Sequence, residues 1–189
     1  IIGERDPSKL PWKKLGIDTV IESTGAFTDK ESLNKHFVSG AKKIIVTAPS
    51  IGVDVTIVPG VDEQKLNKKH NIISVASCTT NASAVIIKAL DDAFGIKKGF
   101  ITTIHAYTSS QSLIDDSNKS PRRGRAAGLN IVPTTTGASE SVCAVIPKLT
   151  GKIDGISIRV PVVDGSLIDL TADLKKPFDE KKINESLKK

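Results

Sequence analysis

The stretch Ile72-Ile-Ser-Val-Ala-Ser-Cys-Thr-Thr-Asn81 decides the fold, because the pattern of the sequence changes within it. Before it, short runs rich in β-branched residues surround one helical pattern, which is typical of a parallel α/β sheet. After it, a long helical pattern over residues 79–94 leads into longer strand patterns. The sequence therefore predicts two domains that meet near Ser77, one over residues 1–77 and one over residues 78–189.

The first predicted domain contains four short strand patterns, at residues 18–23, 43–47, 55–58 and 72–75. One helix lies between the first two strands, where Thr28 and Glu31 have the spacing of a capping box. The helix ends near Gly40. Three residues form its expected apolar face: Leu33, Phe37 and Val38.

The second predicted domain has longer elements. Strand patterns cover residues 99–107, 155–163 and 166–174, and helical patterns cover residues 79–94 and 138–146 and begin again at Asp179. Five residues form the expected buried face of the long helix: Ala82, Val85, Ile86, Ala89 and Leu90. The tight connection Val163-Asp-Gly-Ser166 joins the last two strands and predicts an antiparallel sheet. The predicted fold class is α/β, a parallel-sheet domain followed by an α+β domain whose sheet is mainly antiparallel.

The composition is that of a globular protein. Of the 189 residues, 39% are hydrophobic, which excludes a disordered tail, a coiled coil and a collagen-like fibre. The longest uncharged stretch, residues 71–87, is too rich in Ser, Thr and Asn to be a transmembrane helix. Two cysteines cannot form a disulfide framework, and such low cysteine usage suits the cytoplasm. Because the chain begins at Ile1 and contains no Met, we expect it to be a segment of a longer protein.

Cys78 and His105 are the candidate catalytic pair. Cys78 lies between an apolar strand and the first turn of a helix, where the positive end of the helix dipole favours a thiolate. His105 lies near the end of the strand that follows this helix, so the chain can return it toward the helix N-terminus. A Cys–His pair can form and use a thiolate nucleophile. The alternatives are a buried structural cysteine and a half-buried structural histidine; Cys143 is interpreted as an ordinary core residue.

Basic and hydroxyl side chains are frequent in the second predicted domain. The chain has 27 Lys and Arg against 21 Asp and Glu, a net charge of +6, which fits an anionic ligand as well as nucleic acid. Arginines occur in Pro121-Arg-Arg-Gly-Arg125, within a long polar loop over residues 109–131, and Arg159 interrupts an apolar strand. Hydroxyls occur at Ser77, Thr79, Thr108 and Thr134-Thr-Thr-Gly137. These groups indicate phosphate sites. A nucleic-acid surface and a solvated loop are the alternatives, but aromatic residues are only 4% and none lies among these arginines.

Several motifs in this order together resemble the glyceraldehyde-3-phosphate dehydrogenase family. They are Arg5-Asp-Pro-Ser-Lys-Leu-Pro-Trp12, Glu22-Ser-Thr-Gly25, Ala76-Ser-Cys-Thr-Thr-Asn81, His105-Ala-Tyr-Thr108, Arg122-Arg-Gly-Arg-Ala-Ala127, Pro133-Thr-Thr-Thr-Gly-Ala138 and Arg159-Val-Pro161. The resemblance covers essentially the whole chain and only a middle portion of a family member. It implies that residues 1–77 are the second part of a Rossmann-like dinucleotide-binding domain. Residues 78–189 would be the catalytic domain, truncated at its C-terminal end.

The resemblance also implies a role for each site residue. Cys78 would attack the aldehyde of glyceraldehyde 3-phosphate, and His105 would be the base. The substrate phosphate would be held by Thr108 and Arg159. The attacking inorganic phosphate would be held by Ser77, Thr79, Arg123, Thr136 and Gly137. The cofactor NAD, with NADP not excluded, would contact Ser23, Thr24, Gly25 and Ser50; no metal site is implied.

Further expectations concern partners and alternatives. The resemblance implies a cytoplasmic homotetramer with the loop over residues 109–131 between subunits, and no membrane partner. The alternatives are the related erythrose-4-phosphate dehydrogenase and a non-catalytic derivative that binds RNA or a protein partner. The family's Gly-x-Gly-x-x-Gly turn is absent from the sequence, so the segment alone is expected to be inactive. Ala82 replaces a second cysteine found in many members, and Asp62 replaces a common Asn without an evident functional reason.

Overall fold

The computed structural model describes residues 1–188 and divides the chain into two compact units, Ile1–Asn81 and Ala82–Lys189. The division falls within a helix, a few residues beyond the predicted boundary at residue 77. Both units combine helices with a four-stranded sheet. Within residues 1–188, no helix is both long enough and apolar enough to cross a membrane.

The first unit contains a parallel sheet, as the sequence predicts. Its helices are α1 (Trp12–Leu15) and α2 (Lys30–Val38), and its strands are β1 (Thr19–Glu22), β2 (Lys43–Val46), β3 (Val55–Thr56) and β4 (Ile72–Ser74). The strand order is β1-β2-β4-β3, and all three pairings are parallel. A buried cluster lies between α2 and the sheet: Leu33, Ile44, Val46 and Ile72. The carboxyl ends of β1, β2 and β4 therefore lie along one edge of this sheet.

Two predictions for α2 are wrong. The N-cap is Asp29, whose carboxylate accepts a hydrogen bond from the Ser32 amide at 2.9 Å, and not Thr28. A carboxylate one residue nearer the helix competes successfully for the cap position, because Asp is among the best N-cap residues. Val38 is exposed, whereas His36 is buried on the inner face. Leu33 is buried as predicted.

The long helix α3 (Cys78–Phe94) forms where it is predicted, but its buried face is different. Val85 and Ile86 are exposed, and Ala82 is exposed as well. The buried positions follow the helical spacing from Thr80 through Ala84 and Ile87 to Leu90. Residues 82–87 are apolar except for one serine, so apolar periodicity does not distinguish one face from another there.

The second unit contains a mixed, mainly antiparallel sheet. After α3 it consists of β5 (Ile96–Ala106), β6 (Val132–Thr134), α4 (Ala138–Val145), β7 (Ile153–Val160), β8 (Ser166–Leu174) and α5 (Glu180–Ser186). The strand order is β6-β7-β5-β8, with β5 and β7 parallel and the two other pairs antiparallel. The short strand β6 was not predicted, because its Val-Pro-Thr sequence reads as the end of a loop.

The tight connection before Ser166 does not form a hairpin between neighbouring strands. Strand β5 lies between β7 and β8, and the connection crosses over its end. The amide of Ala106 donates to the carbonyl of Gly165 at 3.1 Å, and the amide of Tyr107 donates to that of Val162 at 3.3 Å. These hydrogen bonds hold the crossing segment over β5.

Candidate active site

Cys78 is the first residue of α3, and its side chain is exposed. The hydroxyl of Ser77 accepts from the amide of Thr80 at 3.0 Å, in the manner of an N-cap, and lies 2.7 Å from the Thr80 hydroxyl. The hydroxyl of Thr79 lies 3.9 Å from Sγ of Cys78. An exposed thiol at the positive end of a 17-residue helix is suited to act as a nucleophile.

The turn that carries Cys78 is held by contacts that sequence reasoning missed. Ala76 has a φ of +58°, a conformation that residues with a Cβ atom rarely adopt. The side-chain amide of Asn81 donates to the carbonyl of Val75 at 2.7 Å and to that of Ser77 at 2.9 Å. A single sequence contains no signal for the left-handed alanine, although the Asn three residues after Cys78 is visible.

His105 and Arg159 lie side by side because β5 and β7 pair in parallel, with these two residues in register. Nδ1 of His105 lies 2.7 Å from the carbonyl of Ala106. With its proton on Nδ1, the ring donates to this carbonyl, and Nε2 is the basic nitrogen. Nη1 of Arg159 donates to the same carbonyl at 3.0 Å and lies 2.9 Å from Nδ1. These contacts position the ring, and in this tautomer Nε2 is the candidate base.

Two arginines are connected through two hydroxyl groups. Nη1 of Arg159 donates to the hydroxyl of Thr108 at 3.4 Å, which lies 2.8 Å from that of Ser110. Arg123 donates to Ser110 at 3.4 Å and, through Nε, to the hydroxyl of Thr134 at 3.1 Å. Two guanidinium groups with intervening hydroxyls form a site suited to phosphate. Sequence reasoning missed the role of Ser110, although it follows the motif that contains His105.

Thr136 and Gly137 lie at the start of α4, as predicted. Gly137 is the N-cap residue. The hydroxyl of Thr136 accepts from the amide of Ala138 at 3.1 Å, one residue before the N-cap. Arg123 contacts Thr134 rather than Thr136. A helix N-terminus is a favourable position for an anion.

The candidate cofactor residues lie at the carboxyl edge of the parallel sheet. Ser23, Thr24 and Gly25 follow β1, and Ser50 comes after β2. The hydroxyl and the amide of Thr24 both donate to the carboxylate of Glu22, so this hydroxyl is engaged within the protein. Gly25 has a φ of +72°, and a Cβ atom there would meet no atom within 4 Å. An open glycine turn at this edge allows a dinucleotide to approach the backbone.

A buried polar chain supports that turn. Oε2 of Glu22 lies 3.1 Å from Nε2 of His36, and both side chains are buried. The indole of Trp12 donates to Nδ1 of His36 at 3.1 Å. Glu22 thus anchors the turn through Thr24 and also accepts a hydrogen bond from Nε2 of His36, because Nδ1 of that ring accepts from the indole.

The predicted pairing of Cys78 with His105 stays a prediction, because the two residues belong to different units. Cys143 is not an ordinary core residue. It is half-buried, lines an open cleft with Ser139, Glu140 and Asp154, and donates from Sγ to the carbonyl of Leu149 at 3.4 Å. Burial raises the pKa of the Cys143 thiol.

Asp62, for which the sequence suggests no function, has a structural role. Its buried carboxylate accepts from the amide of Val58 at 2.8 Å and pairs with Nζ of Lys65 at 2.9 Å. An asparagine could accept the first hydrogen bond but could not form the ion pair.

Comparison with known proteins identifies the family. Residues 77–189 match the family description "Glyceraldehyde 3-phosphate dehydrogenase, C-terminal domain". The chain belongs to the glyceraldehyde-3-phosphate dehydrogenase family. This confirms the resemblance inferred from the motifs.

Relatives extend the similarity beyond the family match. The chain is 50% identical over 190 residues to glyceraldehyde-3-phosphate dehydrogenase 2 of Streptomyces avermitilis, with 100% of the chain and 57% of that protein aligned. It is 52% identical over 182 residues to glyceraldehyde-3-phosphate dehydrogenase of Mycobacterium avium, with 96% of the chain and 54% of that protein aligned. The corresponding protein of Streptomyces coelicolor is 48% identical. The chain thus spans a little over half the length of these members of the glyceraldehyde-3-phosphate dehydrogenase family.

Proposed function

We propose that this chain provides the catalytic residues of a phosphorylating glyceraldehyde-3-phosphate dehydrogenase, an oxidoreductase of glycolysis. The observation that carries the proposal is the linked group of Arg123, Ser110, Thr108 and Arg159, which suits an anionic substrate. Arg159 also contacts His105, the candidate base. Family membership supports the same activity.

In the proposed reaction, His105 takes the proton of the Cys78 thiol, the thiolate attacks the aldehyde carbon, and His105 passes this proton to the aldehyde oxygen to give the thiohemiacetal. His105 then accepts the hydroxyl proton at Nε2, since its Nδ1 is directed to the Ala106 carbonyl. Oxidation at this carbon leaves a thioester on Cys78. Inorganic phosphate cleaves the thioester, and the product is the acyl phosphate 1,3-bisphosphoglycerate.

The two phosphates have separate holders in this proposal. Arg159 and Thr108 bind the phosphate of the substrate, and Arg123 binds the attacking phosphate. Ser77 and Thr79 beside Cys78, and Thr136-Gly137 at the start of α4, complete the second group. Because Ser110 contacts both Thr108 and Arg123, a change at one phosphate group is expected to affect the other.

The proposed cofactor is NAD, which supplies the two-electron acceptor of the oxidation. Gly25 and Ser23 would receive it at the end of β1, and Ser50 at the end of β2. Thr24 would contribute its backbone, since its hydroxyl donates to Glu22. Comparing KM for NAD and NADP tests the choice between the two.

We further propose that the enzyme is a cytoplasmic homotetramer in which residues 109–131 contact a second subunit. Several large apolar side chains of this segment are exposed: Leu113, Ile114, Leu129 and Ile131. Exposed apolar side chains of this kind are typical of protein–protein contacts. Multi-angle light scattering on a polypeptide of the relatives' length should give a tetramer.

Steady-state kinetics test the proposed activity. A polypeptide of the relatives' length that contains this sequence should reduce NAD with glyceraldehyde 3-phosphate, and the steady-state rate should require inorganic phosphate. A higher kcat/KM with erythrose 4-phosphate would contradict the proposed substrate. A Cys78→Ser variant should have no measurable turnover. If the unmodified protein binds RNA and shows no turnover, that result would contradict an enzymatic role.

A further inference from the structure

One serine hydroxyl connects the ends of two neighbouring parallel strands in the first unit. Ser74 is the last residue of β4, and its exposed fraction is 0%. Its hydroxyl donates to the carbonyl of Ala48 at 2.7 Å. The same oxygen accepts from the amide of Ala76 at 3.1 Å. Ser74 thereby joins the segment that leaves β2 to the segment that leads from β4 to Cys78.

Ala76 is the residue in this turn whose conformation needs support. It is the one non-glycine residue with a positive φ among residues 1–188, at +58°, and its exposed fraction is 2%. Left-handed backbone brings Cβ too close to the following carbonyl oxygen, so alanine avoids it. Such a conformation persists only where the surrounding contacts impose it.

The contacts on either side of Ala76 come from Ser74 and Asn81. The Ser74 hydroxyl accepts a hydrogen bond from the Ala76 amide. The side-chain amide of Asn81 donates to the carbonyls of Val75 and Ser77, the two residues that flank Ala76. Because Cys78 follows two residues later, the conformation of Ala76 sets the direction in which the chain enters α3.

The carbonyl of Ala48, which accepts from Ser74, also contacts a candidate cofactor residue. The carbonyl of Ala48 accepts from the hydroxyl of Ser50 at 3.0 Å as well as from Ser74. A carbonyl oxygen has two lone pairs, so both bonds can form together. A continuous chain of hydrogen bonds therefore leads from Ser50 through Ala48 and Ser74 to Ala76.

We propose that Ser74 is a positioning residue, which holds Ala76 in its left-handed conformation and thereby presents the Cys78 thiol at the start of α3. The inference rests on the proposed function of Cys78 as the nucleophile. The position of the Cys78 thiol then depends on a buried hydroxyl that belongs to neither proposed phosphate group. Through the carbonyl of Ala48, this hydroxyl also connects the turn before Cys78 to Ser50.

The test measures alkylation of Cys78 by iodoacetamide in the 189-residue chain, with Cys143 in the same molecule as the internal reference. Ser74→Ala should lower the Cys78 rate constant by about 5- to 30-fold, since without the hydroxyl most molecules leave the left-handed conformation. The matched control is Ser39→Ala. Ser39 is also a buried serine of the first unit, and its hydroxyl donates to the carbonyl of His36 at 3.0 Å. The control rate should equal that of the unmodified chain.

A second substitution separates this role from general packing. Glycine adopts positive φ as readily as negative φ, so Ala76→Gly in the Ser74→Ala background should restore the rate to within about twofold of the unmodified chain. Ser74→Ala labelled at the unmodified rate, or no restoration by Ala76→Gly, would overturn the proposal. If Ser74→Ala fails to fold by circular dichroism, the double variant decides, because it must fold and react normally.

Kinetics in a polypeptide of the relatives' length distinguish this inference from the proposed function. Ser74→Ala should lower kcat while KM for the aldehyde stays within about twofold, and Ala76→Gly should restore kcat. One informative outcome is that Ser74→Ala labels slowly and Ala76→Gly restores the labelling rate, while kcat stays unchanged in both variants. That combination would support the positioning role and contradict Cys78 as the nucleophile. Unchanged labelling with loss of turnover would contradict the positioning role alone.

Discussion

Replacing Arg159 by lysine keeps the positive charge but removes the planar guanidinium. Nη1 of Arg159 donates to the carbonyl of Ala106 and to the hydroxyl of Thr108, and it lies 2.9 Å from Nδ1 of His105. In the proposed function, other N–H groups of the same guanidinium bind the substrate phosphate. Lysine has a single nitrogen, so Arg159→Lys must lose either the protein contacts or the phosphate contact.

The expected loss follows from the energy of a charge-assisted hydrogen bond. Such a bond contributes about 1.5–3 kcal/mol, which corresponds to a decrease of about 10- to 150-fold in kcat/KM. The assay is NAD reduction with glyceraldehyde 3-phosphate by a polypeptide of the relatives' length. Arg125→Lys is the matched control, because Arg125 forms an exposed ion pair with Asp115 at 2.9 Å. Exposed pairs contribute at most about 1 kcal/mol and lysine can retain this one, so the control should stay within about twofold.

Unphosphorylated glyceraldehyde separates the two contributions of Arg159. If the arginine binds the substrate phosphate, Arg159→Lys should impair the phosphorylated aldehyde far more than the unphosphorylated one. An equal loss with both aldehydes would assign Arg159 to the orientation of His105 instead. A loss no greater than that of Arg125→Lys would refute the phosphate site.

Three further predictions concern the chain itself. Iodoacetamide at pH 7 should label Cys78 at least about tenfold faster than Cys143, since Cys78 is exposed and burial raises the pKa of Cys143; equal rates in the folded protein would contradict this. Asp54→Ala should lower the free energy of unfolding at neutral pH by about 1–3 kcal/mol, because the carboxylate accepts from two backbone amides that alanine would leave without this acceptor. Those hydrogen bonds lower the pKa of Asp54, and the bond from the Ile72 amide has the largest effect. The stabilisation by the carboxylate is therefore present above about pH 4, and urea titrations repeated at lower pH should show that it disappears. Gly155→Ala should lower Tm by about 3–10 °C, since a Cβ atom there would lie 2.7 Å from a backbone carbonyl oxygen of β5, whereas Gly128→Ala, with no atom within 4 Å, should leave Tm unchanged.

Local patterns predicted most elements of the fold, because apolar periodicity and capping residues act over a few positions. The parallel sheet of the first unit and α5 with its Asp179 cap follow from such patterns. The insertion of β5 between β7 and β8 could not be predicted in this way. Strand order depends on pairing between distant segments, and a tight connection such as that before Ser166 is compatible with a crossing as well as with a hairpin.

The candidate site was predicted at the level of residue types but not of contacts. Cys78 at a helix start and Arg159 in an apolar strand are visible in the sequence, since each departs from its local pattern. The link through Ser110 depends on how a long loop folds back, which no local pattern encodes. The left-handed Ala76 is invisible for the same reason, because its conformation is imposed by Ser74 and Asn81 rather than by its own preference.

Trapping the acyl-enzyme tests the central claim most directly. A polypeptide of the relatives' length would be mixed with glyceraldehyde 3-phosphate and NAD without inorganic phosphate, quenched in acid, digested and analysed by mass spectrometry. The proposed function predicts a 3-phosphoglyceroyl thioester on the peptide that contains Cys78. This acyl group should be lost when phosphate is added before the quench and absent in Cys78→Ser. An acyl group on another residue, or undiminished NAD reduction by Cys78→Ser, would contradict it.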